Sequence, residues 1–154
     1  MLNGAAGRAE IDAALANDNT ANGQQAAARA LATIPTSEGK LAAFASLVDS
    51  DDAPNAIVRQ TAVGYSHVND ASSLEQVAKR YFESITEIWN NRSFQIAETL
   101  IVGLYPTGLA SQELVDATNA WLDANPTPPA LRRLVIENRA GVERALRVQA
   151  TDVA

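Results

Sequence analysis

The one histidine of the chain, His67, follows Ser66 and stands three residues before Asp70. A serine hydrolase uses these three residue types, the imidazole taking the hydroxyl proton and the carboxylate orienting the ring. Triad members usually meet through the fold and not as sequence neighbours, and no G-x-S-x-G turn is present to present a serine. His67 therefore reads as a turn or helix-end residue. A single histidine excludes a zinc site built on two or more imidazoles, and the absence of cysteine excludes thiolate ligands, disulfides and a cysteine nucleophile. Asp49, Asp51 and Asp52 lack the glycine and distal glutamate of a calcium loop and read as a polar helix-to-helix connection. Glu83 and Glu87 lie one helical turn apart, but two acids on an exposed face need a cleft partner before they can do acid–base work. The eight glycines are scattered and form no phosphate loop. No catalytic, cofactor-binding or metal-binding residue is assigned on these grounds.

The elements that would position any site are helical. Leu74, Val77, Ala78, Tyr81, Phe82, Ile85, Ile88 and Trp89 recur in steps of three and four and line one helix face. Shorter stripes occur at Leu41, Phe44, Ala45 and Val48, at Phe94, Ala97, Leu100, Ile101 and Leu104, and at Leu114, Ala117, Thr118, Trp121 and Leu122. A last stripe holds Leu131, Leu134, Val135, Val142, Ala145 and Leu146, and weaker alanine-rich ones occupy the first third. The breaks carry start and stop signals. Thr20, Thr36, Asn55 after Pro54, Asp70 or Ser72, and Ser111 are the expected caps, and Pro129 fits a first helical turn. Arg92 is expected to cap the carbonyl end of the helix before it. Gly64 and Gly103 fall inside helical stretches and mark close packing or a helix end, since each costs about 1 kcal/mol against alanine. Trp89, Trp121, Tyr81 and Phe82 sit on apolar stripes and are expected in the core. Helix starts near 8, 20, 37, 55, 72, 93, 111 and 129 recur at a regular pitch. Two helices thus take roughly 36 residues, the scale of stacked helix-pair repeats. A plain bundle with short loops would give nearly the same pitch.

The 154 residues suit one domain, taken as 1–154, and 47% hydrophobic against 19% charged residues fits a globular chain. The net charge of −6 argues against sequence-independent binding of nucleic acid. Residues 1–125 carry 7 basic and 15 acidic side chains, whereas 126–154 carry 5 and 3, so the last helix is the basic part of an acidic molecule. Arg132, Arg133 and Arg139 are candidates for reaching acidic groups elsewhere, although a solvated helix face is the ordinary reading. No stretch approaches the ~18 apolar residues of a membrane span, and the opening MLNGAAGRAE lacks a leader's pattern and reads as the middle of a longer chain. A cytoplasmic location is the default expectation.

Several stretches, in order, resemble the C-terminal helical domain of bacterial aminopeptidase N. They are IDAALANDNTANGQQAAARA (11–30), TSEGKLAAFASLVDSDDAPNAIVRQTAVGY (36–65), RYFESITEIWNNRSFQIAETLIVGLYP (80–106) and PPALRRLVIENRAGVERALRVQA (128–150). The pattern YF-x(5)-IW-x(2)-R followed by L-x(3)-L-Y-P is the most telling. The resemblance implies an all-α fold, a right-handed superhelical array of about eight antiparallel helices of HEAT/armadillo-like type. It implies a larger parent, a gluzincin-type zinc aminopeptidase that removes N-terminal residues from peptides. In that family zinc is held by H-E-x-x-H and a later glutamate, and a Gly-x-Met-Glu-Asn stretch grips the peptide amine. None of these motifs occurs here, so no catalytic residue carries over and zinc is expected in the parent only. The expected role is to cap the catalytic cleft and shape peptide entry, with the parent's catalytic domain and its peptide substrate as partners and no nucleic acid or membrane. Two alternatives are a free-standing helical-repeat adaptor that binds another protein along its concave side, and a small hydrolase using His67.

Overall fold

A computed structural model describes residues 7–152; the opening residues 1–6, read above as mid-chain, lie outside it. Eight α-helices follow one another: α1 (Arg8–Asn17), α2 (Ala21–Ala32), α3 (Ser37–Val48), α4 (Asn55–Tyr65), α5 (Glu75–Asn91), α6 (Phe94–Gly103), α7 (Gln112–Ala124) and α8 (Pro129–Asp152). Short 3-10 turns at Ala71–Leu74 and Thr107–Leu109 precede α5 and α7. No strand occurs among the described residues, as the helical spacing predicts.

Most helix starts follow the caps expected from sequence. The Thr20, Thr36 and Ser111 hydroxyls accept the amides of Gly23, Gly39 and Leu114 at 3.1, 3.0 and 3.2 Å. Each satisfies one of the donors that a helix leaves open at its start. The Asp70 carboxylate accepts from the Ser72 amide and opens the 3-10 turn before α5. The start of α4 differs from expectation. Pro54 holds the cap position, Asn55 is the first helical residue, and no side chain caps this end. Proline still defines the start, because its fixed φ suits the residue just outside a helix.

The helices pack alternately. Helix α2 rests on α4, α4 on α6 and α6 on α8, while α3 rests on α5 and chain neighbours such as α3 and α4 or α7 and α8 also touch. The predicted stripes face inward: Phe44, Leu74, Val77, Tyr81, Ile85, Leu100, Ile101, Leu131, Val135 and Val142 are all almost completely buried. The seam between α2 and α4 is the tightest. A Cβ on Gly64 would stand 2.1 Å from the Arg29 carbonyl oxygen and 3.0 Å from the Ala32 Cβ, so only glycine allows this approach. Gly103, the last residue of α6, faces the Ala62 methyl group at an ordinary 3.5 Å. Helices α5 and α7, which the alternation would bring together, do not pack closely.

Candidate functional site

The sequence-highlighted polar residues do not converge on a catalytic centre. His67 is an exposed residue in the loop after α4, where its backbone carbonyl accepts a hydrogen bond from Lys40. Asp49 holds Arg80 through both carboxylate oxygens at 2.8 and 3.1 Å, and Asp52 bonds Ser50 within the α3–α4 loop. Glu83 and Glu87 are exposed on α5, and Glu83 lies 3.9 Å from Lys79. Among the described residues no group of three or more His, Cys, Asp or Glu side chains could hold a metal ion. With one imidazole and no thiol, the residues present do not fit a zinc site.

The most perturbed ionisable groups lie in the core. Lys40 is completely buried, and its ammonium donates to the carbonyls of Ala32 (2.9 Å), Tyr65 (3.0 Å) and His67 (2.7 Å), with Gly64 at 3.4 Å. It thereby ties the carbonyl ends of α2 and α4, where the helix dipoles favour a cation. Burial without a carboxylate partner lowers its pKa to about 8. The phenols of Tyr65 and Tyr81 are pushed above their ordinary range by burial. The Tyr81 hydroxyl donates to the Ile101 carbonyl at 2.7 Å, and Asn138 from α8 donates to the same carbonyl at 3.0 Å. Strong perturbation often marks an active site, but here it accompanies groups sealed between helices, where Lys40 and Tyr81 act as structural fasteners and the buried Tyr65 hydroxyl meets no hydrogen-bond partner among the described residues.

The same use of cations recurs elsewhere. Arg92 is the closing residue of α5, where its backbone amide donates to the Ile88 carbonyl at 3.1 Å, but its guanidinium turns away from that end and reaches the Leu47 and Ser50 carbonyls at the end of α3. Arg132 donates to the Leu122 and Asn125 carbonyls at the end of α7. Arg139 reaches the Asn119 side chain on α7 and lies 3.3 Å from Glu143. Of the three arginines considered as outward contacts, only Arg133 is strongly exposed, 3.5 Å from an equally exposed Glu137. The structure thus spends Arg132 and Arg139 inside the domain.

Grooves also open on the surface of the described residues. A groove of about 870 Å³ runs where α5 and α7 part, with Phe82, Leu109, Leu114 and Trp121 as its apolar lining and Glu75, Glu83 and Glu113 among its polar ones. Phe82 and Trp121 are therefore groove walls as well as core residues, whereas Tyr81 is wholly core. A shallower groove of about 590 Å³ lies between α4 and α6, with Arg59, Val63, Glu98 and Val102 along it. The hydroxyl and carboxylate that meet in the first groove, Ser111 and Glu113, are engaged at the start of α7, where Ser111 accepts the Leu114 amide at 3.2 Å.

The residues that carry the resemblance meet in space. Tyr81 and Phe82 of the YF pair stack edge-on with Tyr105 of the LYP turn, at centroid distances of 5.4 and 6.5 Å. The Tyr105 hydroxyl lies 2.8 Å from Thr118 Oγ1, which fastens that turn to α7. The family model described as "ERAP1-like C-terminal domain" matches residues 1–144. The chain belongs to the ERAP1-like C-terminal domain family. Over 148 residues, 96% of the chain, it is 43% identical to Aminopeptidase N of Streptomyces lividans. The stretch aligned amounts to 17% of that relative, so this ERAP1-like domain spans about a sixth of the protein that it resembles. The family membership agrees with the all-helical fold of the described residues.

Proposed function

We propose that this chain acts as the C-terminal helical part of a zinc-dependent aminopeptidase N that removes N-terminal residues from peptides. It caps the catalytic cleft, shapes substrate access and supplies no catalytic group; the zinc belongs to the parent's catalytic domain. The observation that carries this reading is the 43% identity running through almost the whole chain yet spanning only 17% of Aminopeptidase N of Streptomyces lividans. The chain is read as one helical-array domain over 1–154, a right-handed superhelix. A cytoplasmic address, without nucleic acid or membrane as partner, goes with this reading; no helix among the described residues is long and apolar enough to cross a membrane.

Helix packing suggests which side faces the cleft. Helices α2, α4, α6 and α8 form an unbroken layer, while the other layer opens between α5 and α7. A stack closed on one side and splayed on the other bends toward the closed side. The concave face is then that of α4 and α6, with Arg59, Val63, Glu98 and Val102 toward the chamber. The test mixes this chain with the catalytic remainder of the parent and assays an aminoacyl anilide and a longer peptide, with zinc. The isolated chain is expected to cleave neither substrate, and adding it to the remainder is expected to change the ratio of the two rates. Zinc-dependent cleavage by the isolated chain, or a ratio that stays the same although the two pieces associate, overturns the proposal.

A further inference from the structure

The layer holding α5 and α7 is interrupted, and the gap is a groove of about 870 Å³ walled by both helices. Its α5 wall is built from Ala78 and Phe82 with Glu75, Lys79 and Glu83 beside them; its α7 wall is built from Leu114, Ala117 and Trp121. These positions repeat every three or four residues and so form ridges, with small alanines between the large rings. A third helix laid along the gap can set its own side chains into the spaces over those alanines. The charge of the walls selects which helix. Glu75, Glu83 and Glu113 supply three carboxylates against the single ammonium of Lys79, which already lies 3.9 Å from Glu83. Glu113 is held in its charged form by hydrogen bonding at the start of α7.

We propose that the α5–α7 groove is a docking site for a basic amphipathic helix of a partner protein. Its aliphatic or aromatic side chains rest on Phe82, Leu109, Leu114 and Trp121, and its flanking lysines or arginines meet the three carboxylates. This is the helix-in-groove mode of recognition, in which apolar anchors supply affinity and rim charges select the partner. The groove lies in the layer opposite the one assigned to the cleft, so the inference stands apart from the aminopeptidase reading.

Two 14-residue probe peptides test it, both with leucine at helical spacing, one carrying lysine at every polar position and the other glutamate. The 154-residue chain with Trp89→Phe leaves Trp121, at 8% exposure in the groove wall, as the only indole and hence the reporter. The Leu/Lys peptide is expected to change Trp121 emission and to bind at least tenfold more tightly than the Leu/Glu peptide. Glu75→Gln with Glu83→Gln is expected to erase most of that preference. Ala117→Arg fills the groove from an exposed position and is expected to abolish binding with the helical circular dichroism unchanged. Equal binding of both peptides, no binding, or binding untouched by Ala117→Arg overturns the proposal. Self-association that Ala117→Arg breaks, without peptide binding, also overturns it and assigns the groove to a second copy of the chain.

Discussion

Replacing Lys40 with methionine keeps most of the side-chain length and removes the charge that joins two helix ends. Three carbonyls, those of Ala32, Tyr65 and His67, lose donors at 2.9, 3.0 and 2.7 Å. A hydrogen bond from a charged donor contributes about 1.5–3 kcal/mol, so the gross loss is roughly 5–9 kcal/mol. The variant is also relieved of holding an ammonium out of water, a cost of several kcal/mol that the lowered pKa already reveals. The difference leaves Lys40→Met less stable by about 2–4 kcal/mol, a fall of roughly 5–15 °C in Tm for a chain of this size. Urea unfolding at pH 7 followed by far-ultraviolet circular dichroism measures it. A second arm varies pH. The native lysine titrates at about 8 and the unfolded one at 10.5, so between those values the unfolded chain holds more protons. Wild-type stability must therefore rise relative to Lys40→Met from pH 8 to 10.5, by at most about 3 kcal/mol, with no change below the window. A variant within about 0.5 kcal/mol of wild type at pH 7, or a difference that stays flat from pH 8 to 10, refutes the reasoning.

Gly64→Ala places a methyl group 2.1 Å from the Arg29 carbonyl oxygen and is expected to destabilise by about 1–3 kcal/mol. Gly103→Ala, with 3.5 Å of room, should change stability by less than about 0.5 kcal/mol or raise it; the same urea titration separates the two. Tyr81→Phe should cost about 1 kcal/mol, because Asn138 still serves the Ile101 carbonyl. Adding Asn138→Ala should cost more than the sum of the single changes, and a double-mutant cycle in urea reads that coupling. Arg132→Ala leaves the end of α7 without its charged donor and should cost about 1–2 kcal/mol, while Arg133→Ala should stay within about 0.5 kcal/mol, both read as thermal midpoints.

What the sequence discloses here is local. Thr20, Thr36 and Ser111 could be recognised as caps because a hydroxyl and the amide three residues on are joined by the helix geometry itself. Gly64 could be suspected because glycine inside a helix needs a reason, and the Arg29 carbonyl is that reason. Lys40 could not be singled out: a lysine in SEGKLAAF looks like a surface residue, and its partners lie 8 to 27 residues away. Arg92 was assignable to a helix end by charge, but which end depends on how α5 crosses α3, information that no spacing carries. The α5–α7 groove is illegible for the same reason. Periodicity shows that Phe82 and Trp121 are on apolar faces, and only the packing of other helices decides that those faces stay apart.

The cationic fasteners also impose an order on biosynthesis. The carbonyl end of α3 is closed by a guanidinium that follows Ser50 by 42 residues, and that of α2 by an ammonium whose other ligands, in the α4 turn, come 25 and 27 residues after it. A ribosome delivering the chain from its amino end therefore leaves these ends to solvent until later helices have been made. A nascent chain stalled before residue 92 holds a finished α3 whose last turn is still hydrated, and it is at such unfinished ends that fraying, or capture by a chaperone, would begin.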